Sequence, residues 1–128
     1  MILKHSWRNP AMSGNYEKDM ALSLSEALLI INSVKDEKVE VSKTHEKTNE
    51  FRSNHSQIKN DLVNLIRSID ENDYFSGPIP DDKPNENRNK PVWIFKKEWE
   101  GLKLYIKIKI FITIRKVYVL SLHEDERK

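Results

Sequence analysis

Between Leu102 and Thr113 the chain places Lys103, Tyr105, Lys107 and Lys109 at alternate positions, separated by Leu104, Ile106 and Ile108. Residues two apart lie on one face of a β-strand, so a phenol and three ammonium groups share a face. A second run, Lys116 to His123, ends on Ser121 and His123. If the two runs form a hairpin, opposed residues share a face and the loop fixes which ones meet. A three-residue loop, Thr113-Ile114-Arg115, sets Tyr105 opposite His123 and Lys107 opposite Ser121. A register two residues further sets Lys107 opposite His123. Either way a phenol, an imidazole and ammonium groups form one patch.

Such a patch holds the parts needed to cleave RNA without a metal. The 2′-hydroxyl must lose a proton, the 5′ oxygen must gain one, and charge on the phosphorane must be stabilised. His123 exchanges protons near neutral pH. Lys107 neutralises phosphate. Tyr105 hydrogen-bonds a phosphate oxygen, exchanges a proton or stacks on a base. Lys96, Lys97, Lys103, Lys109 and Arg88 are the expected contacts to the RNA backbone. The competing reading is a solvated lysine-rich face that only keeps a sheet soluble.

Other chemistry finds less support. His5, His45, His55 and His123 are far apart without ligand spacing, so no metal site and no cofactor are expected. Three glycines cannot build a phosphate-cradling loop. Asp81-Asp82 suits turn hydrogen bonds better than acid–base work.

The elements that must position the patch follow from periodicity. The capping-box sequence Ser23-Leu24-Ser25-Glu26 opens a helix that carries Leu24, Leu28 and Ile31 on one stripe and fades near Lys35. Val39-Glu40-Val41 is a short strand or connector, and Thr44 to Arg52 a short helix. A second clear helix runs from Ser56 to Ile69, with Ile58, Leu62, Leu65 and Ile69 on its stripe. Asp70 to Lys90 reads as a long polar connection. Strand signals follow at Val92-Trp93-Ile94-Phe95, Leu102 to Thr113 and Lys116 to His123, with a turn at Glu100-Gly101. The expected architecture is α+β, with N-terminal helices packed on a C-terminal, twisted antiparallel sheet of three or more strands. Ile58, Leu62, Leu65, Ile106, Ile108 and Ile110 should share one core, with Lys107 and Lys109 outside it.

The length of 128 residues suits a single domain over residues 21–128, preceded by a flexible arm over residues 1–20. The absence of cysteine excludes disulfides and thiolate metal sites and points to a reducing compartment, the cytoplasm. No apolar run is long enough for a membrane span, so no membrane partner is expected. Residues 83–128 hold 12 of the 22 Lys and Arg but 6 of the 20 Asp and Glu. A basic half joined to an acidic half points to an anionic partner, most simply RNA.

Several residues also fall in a familiar order. Asp73-Tyr74 follows a helix; Gly77-Pro78, Asp81-Asp82 and Pro84 come next, then Val92-Trp93-Ile94-Phe95. Gly101 precedes Leu104-Tyr105-Ile106-Lys107-Ile108, and Val119-Leu120-Ser121-Leu122-His123 closes the pattern. This order resembles the MqsR-like branch of the RelE-type toxins of bacterial toxin–antitoxin systems, over about residues 22–124. The resemblance implies a curved antiparallel sheet against helices. It also implies a metal-independent endoribonuclease acting on messenger RNA and a separately encoded antitoxin partner. In that family the site is thought to use two lysines, a glutamine and a tyrosine. Tyr105 matches the tyrosine. His123 stands where the final lysine would be, Ser76 near the other lysine and Ile94 near the glutamine. Lys96 or Lys97 is placed to substitute from the neighbouring strand. The alternative is a non-catalytic module, immunity- or antitoxin-like, that docks RNA or an acidic protein on its basic face.

Overall fold

A computed structural model describes residues 14–81 and 90–126. Five short helices precede or flank a five-stranded sheet: α1 Gly14–Met20, α2 Leu24–Ser33, α3 Glu46–Asn54, α4 Ser56–Asn60 and α5 Leu62–Arg67. The strands are β1 Val39–Val41, β2 Tyr74–Ile79, β3 Val92–Trp99, β4 Leu102–Phe111 and β5 Lys116–Glu124, in the spatial order β1-β5-β4-β3-β2. The α+β class holds, with helices on the sheet. The sheet is mixed, because β1 runs parallel to β5 while the other neighbours are antiparallel. Of the expected arm, Gly14–Met20 is helical and Asp19 is buried; residues 1–13 lie outside the described part.

The capping box forms as the sequence indicates. Glu26 N–H donates to Ser23 Oγ at 3.1 Å, and Ser23 N–H donates to Glu26 Oε1 at 2.9 Å. The second long helix divides at Asp61 into α4 and α5, yet its stripe keeps one face: Ile58, Leu62, Leu65 and Ile69 are all buried. They share a core with Ala27, Ile31, Phe95, Leu104, Ile106, Ile108, Ile110 and Leu122. Two links fasten α2 to α5. Asn32 Nδ2 donates to the carbonyls of Arg67 and Ile69, and Arg67 Nε donates to the Val34 carbonyl. These satisfy carbonyls that a helix end would otherwise leave bare.

The polar connection from Asp70 to Lys90 is corrected by the structure: its first part is the edge strand β2, paired with β3 at Tyr74↔Phe95, Ser76↔Ile94 and Ile79↔Val92. Gly77 and Pro78 obscure that strand in the sequence, since both residues are poor ladder members. Gly77 is needed here. Its φ is +130°, and a Cβ would lie 2.9 Å from both Trp93 Cα and Val92 O.

The Glu100-Gly101 turn closes β3 on β4, with both residues at positive φ and Trp99 paired with Leu102. The turn between β4 and β5 is longer than expected. Phe111 pairs with Lys116, so four residues, Ile112 to Arg115, make the turn. That register would place Val117 and Val119 in the core and send Ser121 and His123 there too. A β-bulge intervenes: Ile108 pairs with Val119 and Lys107 with Ser121, which leaves Leu120 as the extra residue. Beyond it the phase is reversed. Leu122 opposes Ile106 inside, and His123 opposes Tyr105 outside.

Candidate active site

The face of β3, β4 and β5 opposite the core has two unlike ends. At one end Val92, Ile94 and Lys109 are buried. Lys109, 3% exposed, pairs with Asp81 at 2.7 Å. Lys90 bonds the buried Asp19 at 2.8 Å and lies 5.5 Å from the centre of the Phe111 ring. Lys109 is therefore removed from the expected RNA contacts. Its place in the alternation is as read, but Asp81 closes over it.

The other end is accessible and holds the pair read from the alternation. Tyr105 and His123 are opposed, and their rings stack with centroids 5.2 Å apart and planes 18° apart. Lys107 opposes Ser121 on the same face. Among the described residues no carboxylate forms an ion pair with Lys107 or with the exposed Lys103. Lys96 lies opposite Tyr105, but its ammonium is engaged by Asp125 at 3.3 Å and lies 4.2 Å from the centre of the Phe75 ring. Lys97 is on the helix-facing side of β3. Its Nζ donates to the Ser68 carbonyl and pairs with Asp73 at 3.2 Å, so it too leaves the expected RNA-contact set. Strand parity decides this: Lys97 shares the side of Trp93 and Phe95. Arg88 falls outside the described residues. Ser76 pairs with Ile94, and Ile94 with Lys107. The positions nearest the family's other lysine and glutamine thus adjoin Lys107, but carry a hydroxyl and a buried alkyl group.

One ring was not legible in the sequence. His45, the N-cap of α3, stacks on His123 as well, 6.0 Å from its ring with planes 19° apart. Its Nδ1 accepts the Thr48 N–H at 3.3 Å and lies 2.6 Å from Thr48 Oγ1. Thr48 Oγ1 in turn accepts the Leu122 N–H at 2.9 Å, which ties α3 to β5. A backbone N–H can only donate, so Nδ1 of His45 carries the lone pair and Nε2 the proton. Burial, and then the electrostatic influence of the neighbouring His123, Lys107 and Lys47, hold the His45 pKa below the usual imidazole value. His123 has the opposite arrangement. Its Nδ1 lies 2.9 Å from the Glu124 carbonyl, which can only accept. That bond puts the proton on Nδ1 and, in the neutral ring, the lone pair on Nε2.

The site therefore offers a base nitrogen, a neutral N–H donor, a phenol and an ammonium group. Among the described residues no group of three His, Asp or Glu is placed to hold a metal ion, and no helix is long and apolar enough to cross a membrane. Compared with known proteins, the chain matches no family model, no curated protein and no solved structure.

Proposed function

We propose that the chain is a metal-independent endoribonuclease, the toxin of a toxin–antitoxin pair, acting on messenger RNA in the cytoplasm. The observation that carries this reading is the Tyr105–His123 stack beside Lys107 on the open end of the sheet. An RNA strand crosses this end with one phosphate between the imidazole and the ammonium. His123 Nε2 takes the proton of the 2′-hydroxyl, and the 2′ oxygen attacks phosphorus. The bond from phosphorus to the 5′ oxygen breaks, and that oxygen leaves with a proton from Lys107. The products are a 2′,3′-cyclic phosphate and a 5′-hydroxyl. Tyr105 holds the imidazole by stacking and presents its hydroxyl to the phosphate. The antitoxin partner and the messenger target come from the MqsR-like order of residues.

The test is induced expression with a growth readout, paired with cleavage of an RNA strand by purified protein in a chelator. Wild type should arrest growth and cleave; Tyr105→Phe and His123→Ala should do neither at comparable levels. His123→Lys should retain part of the activity, given the lysine of the resembled family. A wild-type chain that is harmless and leaves RNA intact overturns the reading.

A further inference from the structure

We infer that His45 is a further catalytic residue, giving its Nε2–H to a non-bridging oxygen of the phosphate that His123 and Lys107 also reach. This inference rests on the ribonuclease reading above. Three observations carry it.

The first is position. His45 arrives from α3, yet its ring lies nearly parallel to that of His123 at 6.0 Å, and His123 in turn stacks on Tyr105 at 5.2 Å. The second is the locked tautomer. Thr48 occupies Nδ1 with its N–H, and its hydroxyl is held by the Leu122 N–H of the neighbouring strand. Nε2–H is thus the fixed polar group on the opposite side of the ring. Thr48 is 0% exposed, which makes this an anchored positioning residue. The third is the choice of cap. Ser, Thr, Asp and Asn cap a helix better than His. A histidine here is economical only if the remainder of its ring has another task.

A neutral donor suits that task. The base His123 must keep its lone pair, and Lys107 already supplies positive charge. A second cation beside them would be repelled, whereas a neutral imidazole stabilises developing negative charge without competing for the base's proton. The donor would act on charge that builds up at phosphorus as the 2′ oxygen attacks.

His45→Asn separates the two roles. Asparagine keeps an oxygen able to cap the Thr48 N–H but has no group where Nε2–H was. Single-turnover cleavage of an RNA strand by the full chain should slow on the order of 10² to 10³-fold in this variant, the usual effect of losing one such donor. Its melting temperature should stay near that of wild type. Imidazole ¹⁵N spectra give a readout free of turnover. Adding a 2′-O-methylated RNA strand, which cannot be cleaved, should shift the His45 Nε2–H resonance. If wild type cleaves RNA and His123→Ala does not, but His45→Asn matches wild type, the inference fails and the ribonuclease reading stands. If wild type does not cleave, both fail. An unmoved His45 resonance in the presence of bound strand also overturns the inference.

Discussion

His123 and His45 are the same side chain holding its proton on opposite nitrogens, and a single neighbouring bond makes the difference in each. A carbonyl beside Nδ1 makes His123 a base at Nε2; an amide N–H beside Nδ1 makes His45 a donor there. His123→Ala should therefore lower the cleavage rate by on the order of 10² to 10⁴-fold while RNA affinity is kept, measured by single-turnover kinetics and by binding of an uncleavable strand. His45 predicts a stability effect. Its folded pKa lies below the unfolded value of about 6.5, so the unfolded chain binds the proton more readily. Its contribution is complete above that value and is lost as the pH falls through the lowered folded pKa. The groups that face it are His123 on β5, Lys107 on β4 and Lys47 on α3. Denaturant midpoints followed from pH 7 downward should fall more steeply for wild type than for His45→Asn. Tyr105 and Lys107 were legible because strand parity is a local rule; the pairing of His123 with Tyr105 was reached through a three-residue loop, and the structure reaches it instead through a four-residue turn and the bulge at Leu120. His45 was not legible. The network that brings it in joins Thr48 to Leu122 across 74 residues, and no local pattern encodes that contact.

At the scale of elements, the sequence shows most plainly what repeats. The stripe from Ile58 to Ile69 and the alternation from Leu102 to Ile110 both reach the core. The edge strand β2 was obscured because Gly77 and Pro78 interrupt its pattern, and the close approach that requires Gly77 is set by β3. The bulge had a sequence sign. Apolar residues occupy odd positions at Val117 and Val119, then even ones at Leu120 and Leu122, and such a change of phase within one strand marks an extra residue. Burial of Lys109 had no sign, since Lys103, Lys107 and Lys109 are equivalent in the alternation. Its cover decides its role, and that gives a clear expectation. Lys109→Met takes one ion pair away from the Asp81 carboxylate, 12% exposed, and should destabilise the fold by on the order of 1 to 3 kcal/mol. RNA affinity should be unchanged. Denaturant unfolding and a binding isotherm on the same variant would check both parts, and a loss of affinity with full stability would restore Lys109 to the RNA contacts.

For the whole molecule, charge counted along the chain differs from charge presented to a ligand. The basic second half is largely neutralised from within: Lys90 by Asp19, Lys96 by Asp125, Lys97 by Asp73, Lys109 by Asp81 and Lys116 by Glu40. Lys107 and Lys103 remain the described cations near the stack without such a pair. Few phosphate contacts mean a modest dependence on salt. The logarithm of RNA affinity against that of salt concentration should have a slope of about −1.5 to −3, from two to four contacts to a single strand. Titrations between low and physiological salt measure this directly. A flat line would remove this face from binding, and a much steeper one would require a larger basic surface than the described residues provide. Fold class and the outward face of Tyr105 and Lys107 were thus readable from periodicity, whereas the distribution of charge was not, because it depends on partners distant in sequence.

The bulge at Leu120 has a consequence for chains of other lengths. Without Leu120 the ladder would run unbroken, and Val119 would still meet Ile108, Ser121 Lys107 and His123 Tyr105. The residue bends the strand without choosing the partners. A chain lacking Leu120 would therefore keep the same stack, with one residue fewer between its tyrosine and its histidine.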